Sequence, residues 1–158
     1  MKMKKLNRLI SILLITVIVS LFGSFSAFAA PESLSNDIVS TTEALFTLKT
    51  PDTENLSTTN KVLPVSCVAP EGAVITLYKY SALTDSYNKL YAGETPFETT
   101  VGATMLYATQ LELTMGSNKF MVYCTMGDES YQVQKFEVKL LNESFMEKIK
   151  SIAGIIFN

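Results

Sequence analysis

The chain of 158 residues has no histidine and no tryptophan, and its only arginine is Arg8. Each absence removes a class of chemistry. Without histidine the commonest general base and metal ligand is missing, and with it Ser-His-Asp relays and the usual zinc sites. Without arginine after position 8 there is no guanidinium fork to read phosphate and no basic stripe, which argues against a nucleic-acid partner. Cysteine is limited to Cys67 and Cys124, and neither has a histidine to activate it as a nucleophile. No cysteine stands near the N-terminal segment to take a lipid, and no cell-wall sorting motif is present near the C-terminus.

What is present begins with an export signal. Three lysines and an arginine fall within Met1 to Arg8, a nearly unbroken apolar run covers Leu9 to Phe22, and Ala27-Phe28-Ala29 follows. A basic start, a short apolar core and an A-x-A site describe a secretory signal peptide over 1–29, with Ala30 as the mature N-terminus. The alternative, an uncleaved membrane anchor, wants a run of roughly 20 apolar residues. After removal of 1–29, nine basic residues face 15 acidic ones, a net charge of −6. A chain of this size suits one compact domain with a real core.

Segment 30–43 is rich in Ser, Thr, Asp and Glu with scattered apolar residues, and reads as a flexible leader. From Leu45 onward short β runs alternate with turn signals. Strands are predicted over Leu45 to Thr50, Val62 to Val68, Val74 to Tyr80, Phe97 to Val101, Leu106 to Leu113, Lys119 to Cys124 and Tyr131 to Leu140. The stretch from Pro51 to Asn60 reads as a turn and polar linker, and Ser81 to Pro96 as a polar loop with room for a short edge strand. Period-2 alternation puts Leu63, Val65 and Cys67 on one face of their strand, and Phe120, Val122 and Cys124 on one face of theirs. Seven strands with hairpin-like turns predict an all-β fold, an antiparallel β-sandwich over 44–141.

Two segments resemble bacterial immunoglobulin-like domains of exported, cell-envelope proteins. Leu63-Pro64-Val65-Ser66-Cys67-Val68-Ala69-Pro70-Glu71-Gly72-Ala73 is similar to their "V-x-V-S-G-x-A-x-P-G" segment. Leu111-Glu112-Leu113-Thr114-Met115-Gly116-Ser117-Asn118-Lys119-Phe120-Met121-Val122 is similar to their "V-x-L-x-x-G-x-N-x-I-x-V" segment. The resemblance covers about Phe46 to Leu140 and implies a seven-stranded immunoglobulin-like sandwich. It implies no activity, because such modules serve as spacers, adhesion units and accessory domains alike. Cys67 stands where the family usually has glycine.

In such a sandwich the second and sixth strands lie in opposite sheets, and residues near their C-terminal ends meet across the core. The resemblance therefore suggests a disulfide between Cys67 and Cys124, in keeping with an exported chain and an even cysteine count. Two buried thiols acting as small hydrophobes are the alternative. The same alternation points Tyr78, Tyr80, Met121 and Tyr123 outward from neighbouring strands, a patch suited to a protein or glycan contact. Sheet-stabilising aromatic pairs, or coverage by the loop Ser81 to Pro96, explain it equally without a ligand. The lack of tryptophan weakens the glycan version.

Asn142-Glu143-Ser144 offers a helix cap, and Phe145, Ile149, Ile152, Ala153 and Ile156 recur at helical spacing, predicting a short amphipathic helix over 142–158. It is too short to span a bilayer, and its charges cancel. It is left to pack on its own sandwich or to dock on a partner or second copy. Asn55-Leu56-Ser57 and Asn142-Glu143-Ser144 match the N-glycosylation triplet. Asp52 and Glu54 with Asp128 and Glu129 do not approach the spacing of a calcium loop. No catalytic residue, cofactor or metal site is predicted. The sequence thus describes a secreted, non-catalytic immunoglobulin-like module with a binding or structural role at the bacterial cell envelope. The alternatives are a carbohydrate-binding or adhesive module using the tyrosine face, and a secreted inhibitor or accessory subunit of an extracellular enzyme.

Overall fold

The computed structural model describes residues 30–42, 44–127, 130–144 and 147–148. Among them twelve strands follow in order: β1 (Ser33–Ser35), β2 (Thr47–Thr50), β3 (Asn55–Thr58), β4 (Val62–Val68), β5 (Val74–Ser81), β6 (Ser86–Lys89), β7 (Tyr91–Ala92), β8 (Thr95–Pro96), β9 (Glu98–Thr100), β10 (Leu106–Glu112), β11 (Gly116–Met126) and β12 (Ser130–Leu140). The large sheet has the order β1-β6-β5-β11-β12-β3, with β9 also paired to β5, and the small sheet has the order β10-β4-β2. β6 and β9 lie along the same edge of β5, facing Tyr78–Ser81 and Val74–Thr76 respectively. The β7–β8 ribbon is therefore an excursion from what is otherwise one interrupted edge strand.

Alternation builds the core. β4 is buried at Leu63, Val65 and Cys67, β10 at Tyr107 and Leu111, and these face Ile75, Leu77, Phe120, Val122, Phe136 and Val138 from the large sheet in one apolar cluster. Val65, Leu77, Phe120 and Val122 are each at most 1% exposed, and a fully buried side chain of this kind stabilises by roughly 1.5–3 kcal/mol. Between β4 and β5 the chain reverses through Pro70-Glu71-Gly72-Ala73, where Ala73 N–H donates to the Pro70 carbonyl at 3.2 Å. Gly72 has φ +85°, the left-handed conformation that a type II turn requires at this place and that glycine adopts without a Cβ penalty.

The all-β class is as expected, but the strand inventory is richer. β3 lies within the predicted polar linker Pro51 to Asn60, where Asn55-Leu56-Ser57-Thr58 offers only Leu56 as an apolar anchor. It pairs in parallel with β12, Asn55 to Thr58 against Glu137 to Leu140, so the large sheet is mixed rather than antiparallel. β11 begins at Gly116, three residues before the predicted start at Lys119, since Gly116, Ser117 and Asn118 are paired with Leu140, Lys139 and Val138. The segment 30–42 is ordered against the sheet and carries β1, which pairs with β6, in place of a flexible leader. The predicted signal peptide over 1–29, Asp128 and Glu129, and 145–146 and 149–158 of the predicted terminal helix lie outside the described residues.

Candidate functional site

The predicted outward face exists, and it is covered. Tyr78, Met121 and Tyr123 meet on the outer side of the large sheet in a second apolar cluster with Tyr87 and Ala30. Leu34, Ile38, Tyr80, Tyr131 and Val133 pack against it. Tyr78 and Met121 are completely buried and Tyr123 is 7% exposed. Sheet pairing explains the assembly, because Met121 lies opposite Tyr78 on one side and Lys135 on the other, while Tyr123 lies opposite Thr76 and Val133. The rings engage one another edge to face for Tyr78 and Tyr123, with centroids 6.0 Å apart. Tyr123 and Tyr131 stack at 5.4 Å. The Lys119 ammonium sits 5.3 Å from the centre of the Tyr80 ring, a cation–π contact.

Segment 30–42 forms the cover, running as a strap from the β6–β9 edge to the β12 edge. At its start the Tyr78 hydroxyl donates to the Pro31 carbonyl at 2.6 Å, and Lys89 N–H donates to the Glu32 carbonyl at 2.9 Å. In the middle, the Lys135 ammonium donates to the carbonyls of Asn36 and Ile38. At its end Thr41 N–H donates to the Tyr131 carbonyl at 3.0 Å, and Val133 N–H donates to the Ser40 hydroxyl at 3.0 Å. The first strap residues thus replace water over the tyrosine face, and their own backbone groups find partners on the sheet. The loop Ser81 to Pro96, the cover weighed from sequence, contributes Tyr87 to this cluster.

A small charge cluster fastens the beginning of the strap. The Lys89 ammonium, with its side chain only 3% exposed, lies 3.2 Å from Glu32 Oε1 and 3.3 Å from Glu98 Oε2, and donates to the Ala30 carbonyl. Glu98 Oε2 also accepts from Ala30 N–H at 3.2 Å and from the Thr76 hydroxyl at 3.3 Å. Glu32 Oε2 accepts from the Tyr91 hydroxyl at 2.6 Å. Burial alone would depress the Lys89 pKa, but the two carboxylates prevail and raise it above 10.5. The Tyr91 hydrogen bond and then Lys89 hold the Glu32 carboxyl below 4.5. Burial, with the Tyr123, Glu98 and Glu32 fields behind it, pushes the Tyr78 phenol well above 10.0.

The cysteines are a correction. Cys67 and Cys124 are both fully buried in the central core, but they are free thiols and do not lie close together, so the expected disulfide is absent. Each is enclosed within its own sheet, Cys67 opposite Tyr107 and Leu48, and Cys124 opposite Ile75 and Gln132. Burial pushes the Cys67 thiol up to about 11 and the Cys124 thiol up to about 12. Both act as small hydrophobes with little thiolate at neutral pH.

An accessible concavity remains at the end of the two-sheet core. It is a groove of about 480 Å³ bounded by Lys79, Tyr91, Phe97, Gln110, Glu112 and Phe120. The Lys79 ammonium lies 5.8 Å from the centre of the Phe120 ring. The groove was legible in principle, because alternation along β5 places Lys79 on the inward side with Ile75 and Leu77. A lysine at an inward position marks a place where the core opens to solvent. The strap had a weaker signal, Leu34 and Ile38 within an otherwise polar run. No protein-family model matches this chain, and a search of the curated proteins finds no relative.

Proposed function

We propose that the protein is a secreted immunoglobulin-like module that works without catalysis, as a structural or binding part of the bacterial cell envelope. The observation that carries this reading is the order of strands. A three-stranded sheet, β10-β4-β2, packs on a larger one whose centre is β6-β5-β11-β12. The chain passes between the sheets from β4 to β5, from β9 to β10 and from β10 to β11, the Greek-key connectivity of immunoglobulin-like sandwiches. β2 on the small sheet and β3 on the large one divide the first strand between the two layers.

The strap speaks against the carbohydrate-binding or adhesive reading through Tyr78, Tyr80, Met121 and Tyr123, since it occupies the surface a glycan would need. The reading as inhibitor or accessory subunit draws support from the Ser81 to Pro96 excursion. There Leu83 is 99% exposed and Tyr91 is 43% exposed beside the groove, an anchor and an aromatic ring offered to a partner. Fractionation of the producing cell followed by chemical cross-linking tests the proposal. Recovery in the envelope or medium, cross-linked to an envelope component, is the expected result. Retention in the cytoplasm would refute it. Cross-links confined to Lys79 beside the groove, to an extracellular enzyme, would favour the accessory reading.

A further inference from the structure

The beginning of the strap is built around a nitrogen atom. Ala30 is buried, its N–H points at Glu98 Oε2 at 3.2 Å, and its carbonyl accepts from the buried Lys89 ammonium. The side chains around it come from four elements: Tyr78 and Thr76 on β5, Lys89 on β6, Tyr91 on β7 and Glu98 on β9, with Glu32 on the strap itself. Among the charged members, two carboxylates, Glu32 and Glu98, face one ammonium, Lys89. Glu32 is exposed to solvent, whereas Glu98 is largely enclosed and, with Ala30 as an internal amide, has Lys89 as its cationic partner and room for a second positive charge.

The sequence supplies that charge at the same atom. Ala27-Phe28-Ala29 is an A-x-A site whose scissile bond is the one that Ala30 N closes. Hydrolysis of the Ala29–Ala30 bond consumes one water and leaves a carboxylate on Ala29 and an amine on Ala30, which takes up a proton near neutral pH. We propose that the mature α-ammonium of Ala30 is a structural residue of the fold, that it pairs with Glu98, and that leader removal thereby locks the strap over the tyrosine face. The inference rests on the reading of the chain as an exported protein. It goes further by assigning a site in the fold to the new terminus.

Burial opposes charge on the amine, as it does on Lys89, and the facing carboxylate favours it. Lys89 shows which prevails in this cluster, since its pKa is raised by Glu32 and Glu98 despite burial, and Glu98 is the carboxylate that the Ala30 nitrogen also meets. In the precursor an uncharged amide occupies the position and donates to the same oxygen, so the contact survives processing and gains a charge.

The test uses the full chain expressed in a secreting bacterium, with the exported product recovered intact. Intact-mass analysis reads the first residue, and competitive labelling with acetic anhydride across pH reads the titration of its amine. A product that begins at Ala30 is expected, with an amine titrating at least about one pH unit above the ordinary α-amino range of about 7.7–8.0. Glu98→Gln is expected to return it to that range. If the variant does not accumulate, the titration of the unaltered protein decides alone. A product beginning at another residue, or an Ala30 amine that titrates in the ordinary range, overturns the inference and leaves export standing. An unprocessed chain that still carries Met1 overturns both.

Discussion

Asn118 shows how much one side chain carries at the crossing between the two sheets. It is 1% exposed, yet every polar atom of its amide is used. Its oxygen accepts from the N–H and hydroxyl of Thr114 at 2.9 and 2.8 Å, and its nitrogen donates to the carbonyls of Thr114, Gly116 and Val138. Asn118→Ala leaves those backbone groups without partners and opens a gap behind them, so a loss of roughly 2–4 kcal/mol is expected in denaturant unfolding. Asn118→Asp keeps the two bonds to Thr114 but sets a carboxylate oxygen against the three carbonyls at a buried position, so it should lose at least as much as the alanine variant. The thiols make a second residue-scale prediction. Native protein should react negligibly with a thiol reagent at pH 8, and denatured protein should show two reactive cysteines without reductant. The physical reason is the upward displacement of both pKa values, to about 11 and about 12, by burial.

At the scale of elements, the strap is held by groups that titrate at opposite ends of the pH range. Lys89 and Tyr78 have raised pKa values in the folded protein. Their contribution is complete below the ordinary lysine and tyrosine values, about 10, and is lost as pH rises through the higher folded ones. Glu32 is lowered, so its contribution is complete above the ordinary carboxylate range and is lost as pH falls through a value below 4.5. A pH titration of tyrosine absorbance should show at least two phenols ionising late, Tyr78 beneath the strap and Tyr107 in the central core, both raised by burial, with detachment of the strap above pH 10 accompanying the first. Early ionisation of all seven tyrosines would contradict burial beneath it. The long strands were legible because period-2 alternation is strong in β4, β5 and β12. β1 and β3 were not, because each holds a single apolar residue, Leu34 or Leu56, and is fixed by pairing with a distant partner that a local pattern does not name. Alternation along β5 and β11 likewise names Tyr78, Tyr80, Met121 and Tyr123 as one cluster but carries no signal of the segment that lies over them.

For the whole molecule, the consequence is a protein of three layers in which the central sheet is apolar on both sides. The small sheet closes one side and the strap 30–42 closes the other. An outward tyrosine patch in the sequence thus becomes an internal seam, while Leu83 and Tyr91 of the Ser81 to Pro96 excursion stay exposed beside the groove. The central claim is that 30–42 belongs to the folded body. Hydrogen exchange of the purified protein, followed by mass spectrometry, tests it most directly. The amides of Ile38, Thr41 and Thr42 donate to backbone carbonyls, and β1 is paired with β6. The peptide carrying them should therefore exchange far more slowly than an unstructured chain, with Tyr78 and Met121 protected alongside. Exchange of 30–42 at the rate of a free peptide would contradict the account.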